Sequence, residues 1–125
     1  MEKRILIVMC ESETREFLAQ TFADHGFRPF TAPDGVGGLF QFGLSQPHLV
    51  VLDVNGWETL QRIRALSNVP IIALIEDNAK DRVESLNRGA DYFVTKPLSV
   101  QELQAKVRAL LRPRPNLCAS AVGLE

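Results

Sequence analysis

Cysteine is scarce in this chain. Cys10 and Cys118 lie far apart, with neither a C-x-x-C pair nor metal-ligand spacing, which argues against a disulfide scaffold and a zinc site. Long apolar runs are missing too: none approaches the roughly 18 residues of a membrane span. Glu2, Lys3 and Arg4 precede only the short run Ile5 to Cys10, too short for a signal-peptide core. The chain therefore reads as cytoplasmic, with no membrane partner. Charge of one sign is also lacking, with 14 Lys and Arg against 15 Asp and Glu for a formal net charge of −1. That balance offers no electrostatic case for direct nucleic-acid binding, which calls for a basic face. Internal repeats and low-complexity segments are absent.

What is present is 125 residues, 46% of them hydrophobic, enough for one domain with a substantial core. Leu49-Val50-Val51-Leu52-Asp53 organises the rest. Four apolar residues in an unbroken run suit a strand buried on both faces, and hence a parallel sheet between helical layers. The run stops on a carboxylate, at the sheet edge where open parallel sheets bind ligands. Asp53 is thus placed for chemistry, or it caps the following helix, since Asp is a favoured N-cap.

Apolar runs and helical patterns alternate along the whole chain. Ile5-Leu6-Ile7-Val8 is the first strand; Ser12 offers an N-cap to a helix with Phe17, Leu18 and Phe22 at helical spacing, stopped by Gly26. Residues 27–31 form a weaker strand that Pro29 assigns to a sheet edge. Asp34-Gly35 opens a helix to about Leu44 in which Gly37, Gly38 and Gly43 each cost on the order of 1 kcal/mol relative to alanine. After Asp53, Val54-Asn55-Gly56 turns into a helix over residues 57–66 that carries Leu60 and Ile63 inward. Pro70-Ile71-Ile72-Ala73-Leu74-Ile75 reads as a central strand. A helix over Asp81 to Leu86 stops at Gly89, and Tyr92-Phe93-Val94-Thr95 is the fifth strand. Ser99 caps a last helix whose Val100, Leu103, Val107, Leu110 and Leu111 form a stripe of period near 3.6. Five strands and five helices in strict alternation, with right-handed crossovers, give an α/β doubly wound sheet. Residues 1–112 form the domain. Residues 113–125, with Pro113, Pro115 and small residues, read as a linker or disordered tail.

The strand ending in Asp53, then Pro70-Ile71-Ile72, Gly89-Ala90-Asp91-Tyr92, Thr95-Lys96-Pro97 and the closing Arg-Ala-Leu-Leu-Arg together resemble a receiver domain of the two-component response regulators. The likeness covers residues 3–112 and is nearest to receivers of winged-helix transcription regulators. It implies a flavodoxin-like three-layer (βα)5 sandwich with sheet order 2-1-3-4-5, Asp53 at the phosphoacceptor position and Lys96 at the phosphate-contacting position, served by a histidine kinase and magnesium.

Other family positions are altered. Magnesium wants hard oxygen ligands, and the family supplies two acids after the first strand; Met9 and Cys10 stand there, a soft thioether and thiol. Glu11 is close enough in sequence to substitute, or is simply a solvated loop acid. The hydroxyl position ending the fourth strand holds Ile75, and the small residue after it is replaced by Glu76, which either repels a phosphoryl group or faces solvent. Phe93 fills the aromatic switch position. The loop from Asp53 to Trp57 is about five residues shorter than is usual. With no metal assigned, Asp53 and Lys96 sum to zero charge and satisfy each other as an ion pair.

These substitutions favour an atypical, phosphorylation-independent receiver with no bound cofactor and no enzymatic activity, acting through protein contacts. The alternative is a residual phosphoacceptor modified on Asp53 by a histidine kinase. A third reading, a redox sensor at Cys10, competes with an inert buried thiol. By resemblance, a homodimer through the fourth helix, fifth strand and fifth helix would pair Arg82 with Glu102, while Lys106 faces Tyr92 where its acidic partner would stand. Arg-Pro-Arg-Pro after the last helix suggests a linker to an output domain beyond residue 112.

Overall fold

A computed structural model describes residues 2–53 and 57–111. Five parallel strands lie in the order β2-β1-β3-β4-β5. They are β1 (Arg4–Val8), β2 (Arg28–Ala32), β3 (Leu49–Asp53), β4 (Ile71–Ile75) and β5 (Tyr92–Thr95), alternating with α1 (Ser12–Asp24), α2 (Gly35–Ser45), α3 (Glu58–Leu66), α4 (Ala79–Asn87) and α5 (Val100–Leu111). This is the doubly wound sheet expected of the alternating pattern, in the flavodoxin-like order that the resemblance implies. Pro29 does lie on an edge strand, β2, where its missing N–H costs no ladder bond on the open side.

Because successive strand residues face opposite sides, the sheet divides the core in two. Ile5, Ile7, Leu49, Val51, Ile72 and Leu74 pack with Leu18 and Phe22 of α1 and Leu103 and Val107 of α5. Leu6, Val8, Val50, Leu52, Ala73 and Ile75 face the other way, onto Leu60 and Ile63 of α3. The unbroken apolar runs of β3 and β4 thus fill both layers, the reason they lack polar alternation.

Several local expectations are corrected. Ser12 is the first helical residue of α1; the N-cap is Glu11, which makes no side-chain cap bond, and Phe17 on that helix faces solvent rather than the core. The second strand sits one residue later than residues 27–31. The fourth helix starts earlier, at Ala79, because the Asn78 side chain accepts from the Asp81 amide and nucleates the first turn. The short loop 54–56 and the tail from residue 112 lie outside the described residues.

The glycine-rich α2 owes its form to two features. Asp34 caps it by accepting from the Gly37 amide at 2.7 Å. Gly38 is buried so closely against β1 that a Cβ there would stand 2.9 Å from Val8 Cγ2. Part of the propensity cost of this helix is thus the condition for its docking.

Candidate functional site

The site lies at the carboxyl end of the sheet, and strand register builds it. Asp53 is level with Leu74, and Ile75 is level with Thr95. Lys96 leaves β5 with its amide donating to the Ile75 carbonyl at 2.9 Å, so its side chain starts beside the end of β4 and reaches back over β3. Lys96 Nζ stands 2.7 Å from Asp53 Oδ1 and 3.6 Å from Glu76 Oε2.

These three groups differ in environment. The Asp53 side chain is 12% exposed, that of Lys96 34% and that of Glu76 68%. Asp53 Oδ1 is buried, and what meets it among the described residues is the 2.7 Å ion pair with Lys96. Its compensation is the lysine charge. Burial by itself pulls the Lys96 pKa down, but the contact with Asp53, and behind it the charge of Glu76, outweigh that and hold the ammonium above its ordinary value. The expectation that Glu76 either enters the pocket or faces solvent resolves into an intermediate arrangement. Its side chain is largely solvated, yet it shares the lysine, so the cluster carries −1 rather than zero.

Beside Asp53 opens a cleft of about 280 Å³ whose lining includes Met9, Cys10, Asp34, Glu58 and Thr59. Its acids have their own partners. Asp34 is engaged with the Gly37 amide, and Glu58 meets Arg62 at 2.7 Å. Met9 is buried in the core, its carbonyl accepting from Arg15. Cys10 is exposed, which corrects the expectation of a buried, inert thiol. Glu11 does not serve the cleft: it is exposed and its Oε1 accepts from Thr14 Oγ1 at 2.6 Å, the solvated role considered for it above.

A hard dication needs several oxygen ligands. Among the described residues no group of three or more His, Cys, Asp or Glu is arranged to hold a metal. Three carboxylates line the cleft, Asp53, Asp34 and Glu58, each already engaged by a partner, beside the sulfur-bearing Met9 and Cys10, and thioether and thiol are soft donors that magnesium disfavours. Ile75 is buried in the core and Phe93 packs partly buried against the same cluster, so neither places a hydroxyl at the site.

On the α4–β5–α5 face the expected cross-dimer partners are engaged within one chain. Arg82 binds Asp77, and Glu102 meets Lys106 at 3.1 Å. Lys106 Nζ also donates to the Phe93 carbonyl at 2.7 Å and lies over the rings of Tyr92 and Phe93. Val83, Leu86 and Tyr92 are exposed around them.

Sequence reasoning overlooked two features. Gly35 approaches Thr59 so closely that a Cβ would meet its hydroxyl at 2.2 Å, bringing the starts of α2 and α3 together beside Asp53. Arg64 ties the end of α3 to the loop before β5 through Gly89 and Asp91. Gly89-Ala90-Asp91 was visible as a motif, but no local signal connects it to a residue 27 positions earlier.

Residues 5–108 match the family described as the response regulator receiver domain. The chain is 41% identical over 117 residues to a probable transcriptional regulator, ycf27, of Galdieria sulphuraria, covering 89% of this chain and 46% of that one. It is 39% identical over 115 residues to the transcriptional activator protein IrlR of Burkholderia pseudomallei, covering 87% and 50% respectively. It therefore spans about half the length of these relatives. Among solved structures, a two-component response regulator from Clostridium difficile superposes with a TM-score of 0.84 at 25% identity, over 89% of this chain and 97% of that one. A Francisella receiver domain does so with 0.81 at 27%, over 87% and 96%.

Proposed function

Because this chain belongs to the response regulator receiver domain family, we propose that it is an atypical member whose signalling does not require phosphorylation of Asp53. The observation that carries this reading is the ion pair of Lys96 with Asp53, with Glu76 on the far side of the lysine. A lysine poised to meet incoming phosphoryl oxygens is here already held between two carboxylates. Replacing that cluster with an acyl phosphate would put a dianion beside Glu76, and no metal is available from the present donor set to offset it. Magnesium has no role in this reading, and the domain is not an enzyme.

Its output is through protein contacts. The exposed Val83, Leu86 and Tyr92 make the α4–β5–α5 face the surface we assign to them. A two-fold pairing of that face would exchange Arg82–Asp77 and Glu102–Lys106 contacts for Arg82–Glu102 contacts between copies. Exposed pairs contribute about 0–1 kcal/mol each, so the exchange is close to neutral, and the apolar side chains decide association. The length of the relatives supports an output domain beyond residue 112, acting in transcription regulation in the cytoplasm. Under this reading a histidine kinase is dispensable. Among the described residues no helix is long and apolar enough to cross a membrane.

The test is phosphorylation by acetyl phosphate or phosphoramidate with magnesium, followed by intact-mass spectrometry. No phosphoryl adduct is expected, nor any magnesium-dependent change in the fluorescence of Trp57, the N-cap of α3, which precedes the cleft-lining Glu58. Stoichiometric labelling that disappears in Asp53→Asn would establish the alternative, a residual phosphoacceptor, and end this proposal.

A further inference from the structure

The α2 helix presents an apolar face that the fold does not use. From Gly35 to Ser45 it has no charged side chain. Its inner residues pack on the sheet, yet Val36, Phe40 and Leu44, spaced four apart on the outer side, are 82%, 67% and 66% exposed. On α3 next to it, Leu66 is 72% exposed. An amphipathic surface helix would carry polar residues at such positions. These four side chains expose on the order of 500 Å², at the upper end of the largest apolar patch on a typical monomer.

A second observation points the same way. The close approaches to Thr59 and Val8 account for Gly35 and Gly38, and Gly37 is crowded by Asp34, but a Cβ on Gly43 would meet nothing within 4 Å. Glycine inside a helix is unfavourable relative to alanine, and nothing among the described residues requires one here. Gly43 is exposed between Phe40 and Leu44 and lines a recess of about 310 Å³ with Phe42, Pro47 and Ser67. A second recess of about 340 Å³ lies between Leu39 on α2 and Arg62, Ala65 and Leu66 on α3. One face thus carries both projecting side chains and hollows.

We propose that this α2 face is a self-association surface on which a second copy of the chain packs about a two-fold axis. A two-fold contact requires a patch complementary to itself, and knobs beside hollows on one uncharged helix meet that condition. Two copies approach without like-charge repulsion. The charged residues beside it have partners, Asp34 accepting from the Gly37 amide and Glu58 pairing with Arg62, which gives a charged partner little to hold. The short helix also lacks the basic residues with which interfacial helices hold a lipid surface. The area is below the roughly 800 Å² per partner of a standard interface, which makes the dimer weak and concentration-dependent. α2 packs on β1 and β2, and α4 on β4 and β5, so pairing through α2 leaves the α4–β5–α5 face available to other partners.

The test is sedimentation equilibrium of the 125-residue chain from about 1 μM to about 1 mM, a range that brackets weak association. A reversible monomer–dimer equilibrium is expected, and Phe40→Asp should raise its dissociation constant at least about tenfold. Gly43→Gln is the second variant. It should raise the thermal midpoint of the dilute monomer, because a helix former replaces glycine in open space, while weakening the dimer by filling the notch. Phe17→Asp, at an exposed position of α1 outside both faces, should leave this equilibrium unchanged. A wild-type chain that stays monomeric throughout overturns the proposal. So does a dimer that survives both α2 substitutions and is lost in Tyr92→Asp.

Discussion

Lys96 Nζ lies 2.7 Å from Asp53 Oδ1, and this contact joins the last residue of β3 to the first residue after β5 across the intervening strand. The two groups are unequal. Asp53 has its Oδ1 buried, whereas Lys96 keeps solvent and a second carboxylate, Glu76, within reach.

That asymmetry predicts unequal mutants. Lys96→Met strands a buried carboxylate and should destabilise the domain by about 1–3 kcal/mol, less than the roughly 3–5 kcal/mol of a fully buried pair because the lysine is one-third exposed. Asp53→Asn leaves Lys96 facing Glu76 and water and should cost under about 1 kcal/mol. The double variant should be more stable than Lys96→Met alone. Since folding holds the Lys96 pKa above 10.5, its stabilisation is complete below that value and is lost as pH rises through the higher folded value. Urea unfolding of all four proteins, repeated at alkaline pH, checks both points; equal costs for the two single variants would refute the assignment.

Arg64 should be hard to replace. Its Nε donates to the Gly89 carbonyl at 2.9 Å, Nη1 to the Val69 carbonyl at 2.8 Å, and Nη2 to Asp91 Oδ2 at 2.7 Å, the same oxygen that receives the Ile71 amide. One planar group fastens the end of α3 to the starts of β4 and β5. Arg64→Ala should cost about 2–3 kcal/mol. Arg64→Lys should recover less than half, since an ammonium cannot span those acceptors. Denaturant midpoints decide it, and a lysine variant as stable as the parent would contradict this account.

His48 sets an acid limit. Its Nδ1 accepts from the Arg4 amide at 2.9 Å, a bond available only to the neutral ring. Burial, and then the charges of Arg4 and Lys3, hold its pKa below 6.5. The unfolded chain therefore takes up this proton first on acidification. The contribution is present above 6.5 and is lost as pH falls through the lower folded value. His48→Gln should flatten the stability profile over about pH 7 to 5. An imidazole NMR titration with a His48 midpoint at or above 6.5 would disprove the mechanism.

Much of the architecture was legible because it rests on short-range patterns. The apolar runs ending at Val8, Asp53 and Ile75, the breaks at Gly26 and Gly89, and the Ser99 cap are local signals. Alternation with helices then leaves few topologies open. Helix starts at Glu11 and Asn78 were misread because several capping residues compete within a few positions and only backbone geometry chooses among them. Phe17 shows the same limit, since spacing names a helix face but not what lies opposite it.

The candidate site divides along that line. Residue identities alone already showed sulfur at positions 9 and 10, no hydroxyl at 75 and a carboxylate at 76, because a donor atom is a property of the side chain wherever it sits. Whether Glu76 reaches Lys96, whether Glu11 turns toward the cleft, and whether Arg82 is already engaged by Asp77 depend on distances of a few ångströms between residues held on different strands and helices. Strand register and helix docking set those distances. The exposed α2 stripe belongs to the same class. That Val36, Phe40 and Leu44 are exposed is settled by the packing of α2 on β1 and β2, which decides which side of the helix the sheet takes and which it leaves to solvent.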